Sequence, residues 1–355
     1  KAIEIKPDFA YAHSNLGTIL IDLGKEKDAI KHYSLALEKE PNNIYFYINS
    51  KLKFSPIMND VAQIEVERNK YKKQLENLKN NNSIYYKSGG VFKTDMFYLA
   101  YQNELDDKII LEELSNTISK VKGVVHEGFN GKEYLATSLK RTNLRLGICS
   151  EFLRDNHTIG KLYLKVILDL LQTDLEISIY VPPNTNSHSG LGLIRDSFKR
   201  VINLPSSPYR ACELILSDKL DILFYPDIGM SNYTYILALS KLALVQVNSL
   251  GHTNTSGINN IDYYITNSSE PKESDNNYTE QLIRFNKLPF NYSTPLINSN
   301  ELKNNNFLKF KNNFYIGITQ SLFKLHPDFD QILESILLTI NKSHLILIKD
   351  REDHC

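Results

Sequence analysis

Three short stretches concentrate the side chains able to do chemistry. "EFLRDNHTIG" carries Glu151 and His157, "PDIGMSN" carries Asp227, and "GHTNTSG" carries His252, Thr253, Thr255 and Ser256 between Gly251 and Gly257. A turn needs two or three small residues; seven in a row is the composition of a loop that faces something. A neutral imidazole titrates close enough to pH 7 to orient or deprotonate a hydroxyl. The two glycines permit close backbone approach and left-handed φ, so main-chain N–H groups can reach a ligand. Each residue also has an ordinary reading. A histidine just ahead of a helix caps or packs, loop hydroxyls satisfy their own backbone, and an aspartate beside Pro226 and Gly229 forms turns.

The elements around these loops alternate. β-rich runs are "RLGICS", "EISIYV", "RVINL", "LDILFYP", "LVQVNSL" and "DYYIT". Between them lie the helical stretches "IGKLYLKVILDLLQ", "GLIRDSFKR", "PYRACELILSDK" and "NYTYILALSKL". This spacing predicts a parallel sheet covered on both faces. Right-handed crossovers make it an α/β, doubly wound, Rossmann-type domain, whose ligands sit outside the carboxyl ends of the strands. The three polar loops each follow a strand, so all should line one rim. No G-x-G-x-x-G follows the first strand, which disfavours a simple dinucleotide dehydrogenase. Further on, "NFYIGIT", the helix "PDFDQILESILLTI" and "SHLILIKD" begin a second sheet. Lys324, in "SLFKL", belongs to its carboxyl rim.

The first fifty residues repeat. Ala2 and Ala36 are 34 apart, as are Pro7 and Pro41, with Leu16, Gly17, Leu20, Gly24, Ala29, Tyr33 and Ala36 inside the unit. That period and those small and large positions resemble the tetratricopeptide repeat. Gly17 and Ala29 let two antiparallel helices approach while Leu20 and Tyr33 fill the seam. Pro41 stops the second helix, and His13 stands where an aromatic ring is usual. One complete unit cannot bury a continuous core, and the chain opens with Lys1 inside a pattern already under way, so further repeats are expected upstream. "NDVAQIEVERNKYKKQLENLKNNNS" reads as a charged connecting helix, with interleaved Glu65, Glu67 and Glu76 favouring a solvated face over a membrane one, before Gly89-Gly90 breaks the chain. The expected division is residues 1–56 repeats, 57–90 helical linker, 91–300 Rossmann-type domain and 301–355 the beginning of a second nucleotide-binding domain.

Composition excludes several classes. Lys plus Arg and Asp plus Glu number 41 each, so no global field favours nucleic acid or an anionic membrane. Three widely spaced cysteines, Cys149, Cys212 and Cys355, fit a reducing compartment, and a cytoplasmic location is expected. Apolar runs such as "HLILI" are too short to span a bilayer. The Asn-x-Ser/Thr triplets, as at Asn232 and Asn277, follow from a chain rich in Asn.

After the repeats, "MFYLAYQNELDD", "NHTIGKL", "LDILFYPDIGM", "LGHTNTSGINNIDYYIT" and "TQSLFKLHPDFDQIL" occur in that order. Together they resemble the O-GlcNAc transferase/SPINDLY-type glycosyltransferases, particularly bacterial members. The resemblance implies a GT-B fold, with a sugar nucleotide held between two Rossmann-type domains. It implies inverting transfer from a UDP-sugar, UDP-GlcNAc first, to Ser or Thr of a polypeptide held by the repeats, without a metal or other cofactor. His157 falls on the family's catalytic histidine, and Glu151 stands near a family aspartate with two extra residues between. Leu250 and Gly251 fall on the backbone segment lining the donor pocket, with His252 beside them. Lys324 falls on the lysine that contacts donor phosphate, and Gln320 and Ser321 straddle the position of a glutamine. A departing diphosphate needs its charge stabilised, and without a metal that takes a cation and helix N-terminal amides. Phe97, Tyr98 and Tyr101 are read as packing residues.

Departures leave alternatives open. Met230 in "YPDIGM" replaces the family's Gly-His-Thr or Gly-Tyr-Thr and also resembles the bacterial cytoplasmic N-glucosyltransferases that modify asparagine. "YQN" at 101–103 replaces a common Tyr-His-Gly, and Lys93 lies near a family histidine. Two strands and a helix do not complete a nucleotide-binding sheet, so this chain by itself is expected not to turn over. A repeat-based scaffold without catalysis is the reading from another class.

Overall fold

The computed structural model describes residues 1–87, 91–103, 105–183, 185, 191–292 and 313–348. The Gly89-Gly90 break, Glu104, Cys355 and the expected boundary near residue 300 lie outside these. The chain begins with helices α1 (Ala2–Ile5), α2 (Ala10–Asp22), α3 (Glu26–Lys39) and α4 (Ile44–Lys51). Helices α2 and α3 form the hairpin expected of the repeat. A Cβ on Gly17 would stand 2.9 Å from the Tyr33 ring, so only glycine admits that buried tyrosine. His13 fills its aromatic position by stacking on His32, ring centroids 5.2 Å apart. After Pro41, Asn43 caps α4 by accepting from the N–H of Tyr45 at 3.1 Å.

Helix α5 (Val61–Lys79) occupies the connecting segment, started by Asp60, whose carboxylate accepts from the N–H of Gln63 at 2.7 Å. Its outer face is charged, but Ile64, Arg68, Tyr71, Leu75 and Leu78 are buried at helical spacing. Tyr71 stacks on Phe54 at 4.5 Å and donates to the carbonyl of Thr94 at 2.8 Å. The helix is thus a brace with one face in the core. Two helices absent from the sequence reading follow, α6 (Lys108–Ser119) and α7 (Gly131–Ser138).

The sheet domain then runs β1 (Arg145–Cys149), α8 (Thr158–Asp169), β2 (Glu176–Val181), α9 (Gly192–Ser197), β3 (Val201–Asn203), α10 (Pro208–Ser217), β4 (Leu220–Tyr225), α11 (Asn232–Ala238), β5 (Ala243–Ser249), β6 (Tyr263–Asn267) and β7 (Gln281–Phe285). All seven strands are parallel, in the order β3-β2-β1-β4-β5-β6-β7. The six expected strands are present, and β7 extends the edge. The order reverses between β1 and β4, which places the topological switch point at their carboxyl ends. One face packs Leu146 and Ile148 against α8 and α9. The other packs Cys149, Leu223 and Tyr225 against α10 and α11, in a core continuous with the repeats and α5. The domain is therefore Rossmann-like and covered on both faces.

The second lobe is one βαβ unit: β8 (Phe314–Ile318), α12 (Phe329–Thr339) and β9 (Ser343–Leu347), the two strands parallel. No helix among the described residues is long and apolar enough to cross a membrane.

Arg68 ties the brace to the sheet domain. Its guanidinium donates to Asp107 Oδ1 at 2.6 Å, Gln102 Oε1 at 3.0 Å and the carbonyl of Asp106 at 2.8 Å. Burial pushes the Asp107 carboxyl up from its ordinary range and Arg68 pulls it back down. Arg68→Ala leaves that buried carboxylate without its cation and with only the Asn254 amide, which donates to Oδ2 at 2.7 Å, so urea unfolding should show a loss of about 3 kcal/mol. A loss no larger than a surface substitution gives would mean that the pair is not structural.

Candidate functional site at the carboxyl rim

The loops after β1, β4 and β5 meet as expected. At the switch point the Asp227 carboxylate is fully buried. Its Oδ2 accepts from Ser150 Oγ at 2.8 Å and from the N–H of Glu151 at 3.1 Å, while Oδ1 has no partner among the described residues. Burial, above all, raises its pKa to about 7; the Ser150 hydrogen bond opposes the shift and the charge of Glu151 adds to it. Glu151 is half-buried and its carboxylate accepts from Ser231 Oγ, the residue that caps α11. Its carbonyl accepts from Thr185 Oγ1 at 3.0 Å.

His157 is the N-cap of α8. Its Nδ1 accepts from the N–H of Ile159 at 3.2 Å and its ring stacks on Phe152 at 4.6 Å. Burial, followed by the charges of Arg154 and Lys161, lowers its pKa to about 4. The ring is neutral at pH 7. Because Nδ1 is used as an acceptor, Nε2 carries the proton and is free to donate.

After β5, Leu250 and Gly251 bring the backbone against the β4 loop. A Cβ on Gly251 would stand 1.8 Å from the carbonyl oxygen of Pro226, with Ile159 Cδ1 at 3.0 Å. Only glycine fits there. His252 is 4% exposed, its carbonyl accepts from the hydroxyl of Tyr264 at 2.6 Å, and its Nε2 has no partner among the described residues. Its ring stacks on Phe97 with centroids 5.2 Å apart and planes at 18°. A Cβ on Gly229 would press within 2.2 Å of that ring. Burial and then the nearby Lys324 lower its pKa to about 4.

Lys324 ends a tight turn, Leu322–Lys324, preceded by Ser321, whose carbonyl accepts from the N–H of Lys324 at 3.0 Å. Its Nζ lies 5.6 Å from the centre of the Tyr101 ring. The Gln320 side chain is exposed. The imidazole that feels Lys324 is that of His252, whereas His157 feels charges on its own loop and helix. Lys324 is thus paired electrostatically with His252, beside the expected partner His157.

The hydroxyls of "GHTNTSG" serve a different end from the one their composition suggests. Thr255 Oγ1 donates to Glu280 Oε2 at 2.5 Å, and Ser256 offers both its N–H, at 2.8 Å, and its hydroxyl to Glu280 Oε1. They wrap a buried carboxylate of the chain itself. Asn248, buried in β5 with both amide atoms unpartnered among the described residues, was missed. An asparagine inside the strand run "LVQVNSL" was the available signal. Phe97, Tyr98 and Tyr101 do pack, around Phe323. A separate cavity of about 570 Å3 lies at the amino ends of β1, β2 and β4, lined by Arg145, Glu176 and Asp218, away from this rim.

Known proteins fit this architecture. The tetratricopeptide repeat family matches residues 10–43. No curated protein matches the chain. Among solved structures, an O-GlcNAc transferase mutant from Thermobaculum terrenum superposes with a TM-score of 0.62 at 19% identity, over 97% of this chain and 62% of that one. The class defined by fold and rim is a tetratricopeptide segment joined to a Rossmann-type parallel sheet of GT-B-like fold. The chain spans 62% of the length of that O-GlcNAc transferase structure.

Asp227 makes a pH prediction with a definite sign. Its folded pKa of about 7 lies above the ordinary aspartate value of 3.8, so the folded state holds the proton more tightly. The contribution is complete below pH 4 and is lost as pH rises through 7, on the order of 4 kcal/mol. Asp227→Asn should remove that slope, read as urea midpoints between pH 4.5 and 8. An identical slope in the variant assigns the titration elsewhere.

Proposed function

We propose that this chain acts in transferring a sugar, with GlcNAc the first choice, from a UDP-sugar to Ser or Thr of a polypeptide held by the repeats. The observation that carries this reading is the approach of Lys324, from the second lobe, to a rim holding a buried imidazole with a free Nε2 and a buried carboxylate with a free Oδ1. Polar atoms so placed cost stability unless something else pairs with them.

The chemistry follows from the groups. The acceptor hydroxyl oxygen attacks the anomeric carbon as the bond to the β-phosphate oxygen breaks, and that oxygen leaves with the electron pair. Attack opposite the leaving group inverts the anomeric configuration. Lys324 meets the charge growing on the diphosphate, so the reading calls for no metal. His157, donating through Nε2–H, orients the acceptor. It is a poor base in this geometry, since taking a proton at Nδ1 would give up the helix cap. The Glu151 carboxylate takes the hydroxyl proton. Met230 packs on the sheet core, so its departure from the family motif does not by itself favour asparagine as acceptor.

The second lobe offers two strands among the described residues, so binding is the expected readout for this chain rather than turnover. Saturation-transfer NMR should show UDP-GlcNAc bound in preference to UDP-glucose, and Lys324→Met should weaken binding ten- to a hundredfold, the worth of about one charge-assisted contact. No transfer of saturation to either nucleotide sugar would refute the donor assignment. His157→Ala should cost about 1 kcal/mol as a lost cap, recovered in His157→Asn. In a transferring enzyme both substitutions should abolish product. Activity retained in His157→Asn would leave His157 a cap alone.

A further inference from the structure

The second lobe meets the first through a ring that fits into a three-sided cage. Phe323 stands 5.6 Å from Phe97, 5.9 Å from Tyr98 and 5.7 Å from Tyr101, centroid to centroid, with interplanar angles of 62°, 79° and 70°. Three edge-to-face contacts on one ring define its position in three directions, because each ring edge is attracted to a π face. The cage belongs to one tight helical turn, Met96–Tyr101, anchored in the main core by Met96 and Leu99. It is rigid on the first-lobe side.

Lys324 follows Phe323 directly and shares its turn, so ring and ammonium move together. No carboxylate lies within ion-pair distance of Lys324 among the described residues, and the side chain is exposed. Its described hold is the face of Tyr101, one wall of the same cage. Phe97, another wall, stacks on the buried His252. The cage therefore has two outputs. Seating Phe323 places the ammonium at the rim and fixes the ring against which His252 lies.

We propose that Phe323 is a positioning residue, an aromatic key whose seating among Phe97, Tyr98 and Tyr101 locks the second lobe and aligns Lys324 with His252. Its functional consequence rests on the reading of Lys324 as the donor-diphosphate cation; the lock itself does not.

The chain contains no tryptophan, so Phe323→Trp introduces a single indole at the key position. The expected result is a blue-shifted emission with weak acrylamide quenching, both lost when Phe97→Ala is added. In the otherwise unaltered chain, Phe323→Ala should raise the NMR titration midpoint of His252 from about 4 toward the ordinary imidazole value, since water and distance replace the packed cage. Phe323→Tyr should restore it. UDP affinity should fall at least tenfold in Phe323→Ala and recover in Phe323→Tyr, a rescue that general destabilisation would not give. A solvent-exposed indole in Phe323→Trp, or an unmoved His252 midpoint in Phe323→Ala, overturns the lock. An intact lock with equal UDP affinity in Phe323→Ala overturns the positioning role. Should UDP fail to bind the unaltered chain while both spectroscopic results hold, the lock stands and the diphosphate reading of Lys324 falls.

Discussion

A carboxylate buried at the point where the strand order reverses organises the rim. Asp227 Oδ2 binds the hydroxyl of Ser150 and the N–H of Glu151, which joins the end of β1 to the loop after β4. Glu151 passes the tie on through Ser231, which starts α11. Gly251 lies against the Pro226 carbonyl next to Asp227 and brings in the loop after β5. Three loops from three central strands thus converge around one acid. Protonation, or a group bound at Oδ1, settles that acid; an ionised Asp227 with an idle oxygen is a costly arrangement. The tension is local to the rim.

Glu280 gives the control for that reasoning. It is also a buried acid, 4% exposed, at the far side of the "GHTNTSG" loop. Both of its oxygens are used, by Thr255, by Ser256 N–H and by Ser256 Oγ. A complete set of partners makes Glu280 a fastener. Asp227, with one oxygen idle, and His252, with Nε2 idle, have the signature of groups awaiting a partner. The distinction lies in satisfaction, not in burial or residue type.

Local pattern carried most of the fold. The period-two and helical runs located six strands of the main sheet and both strands of the second lobe, and Gly17 and Tyr33 announced the repeat hairpin. The edge strand β7 escaped because "QLIRF" is only half-buried and lacks a clear alternation. Helix α5 read as solvated because its charges outnumber the buried stripe of Ile64, Tyr71 and Leu75 that fixes it. Within the site, position was legible and partnership was not. The strand-then-loop order placed Glu151, His157, Asp227 and His252 on one rim. That Lys324 answers to His252, or that Thr255 and Ser256 are spent on Glu280 some 24 residues on, depends on contacts that no local spacing encodes.

The distribution of core decides where this molecule can move. Phe54, Tyr71, Phe92, Leu111 and Tyr225 belong to one continuous apolar cluster, so the repeats, the brace and the main sheet form a single body. In the second lobe Leu333 alone among the described residues is buried and apolar. That lobe is held by side-chain contacts rather than by a shared core, and rings that meet edge to face slide and separate at smaller cost than interdigitated aliphatic chains. A ligand entering the rim must pass between these two unequal parts. Opening is therefore expected by withdrawal of Phe323 from its cage on the turn Met96–Tyr101, with the repeats and sheet staying fixed, the movement of a cleft whose walls differ in rigidity. The acceptor platform and the His157 side of the site would then keep one geometry through the cycle, while the Lys324 side comes and goes.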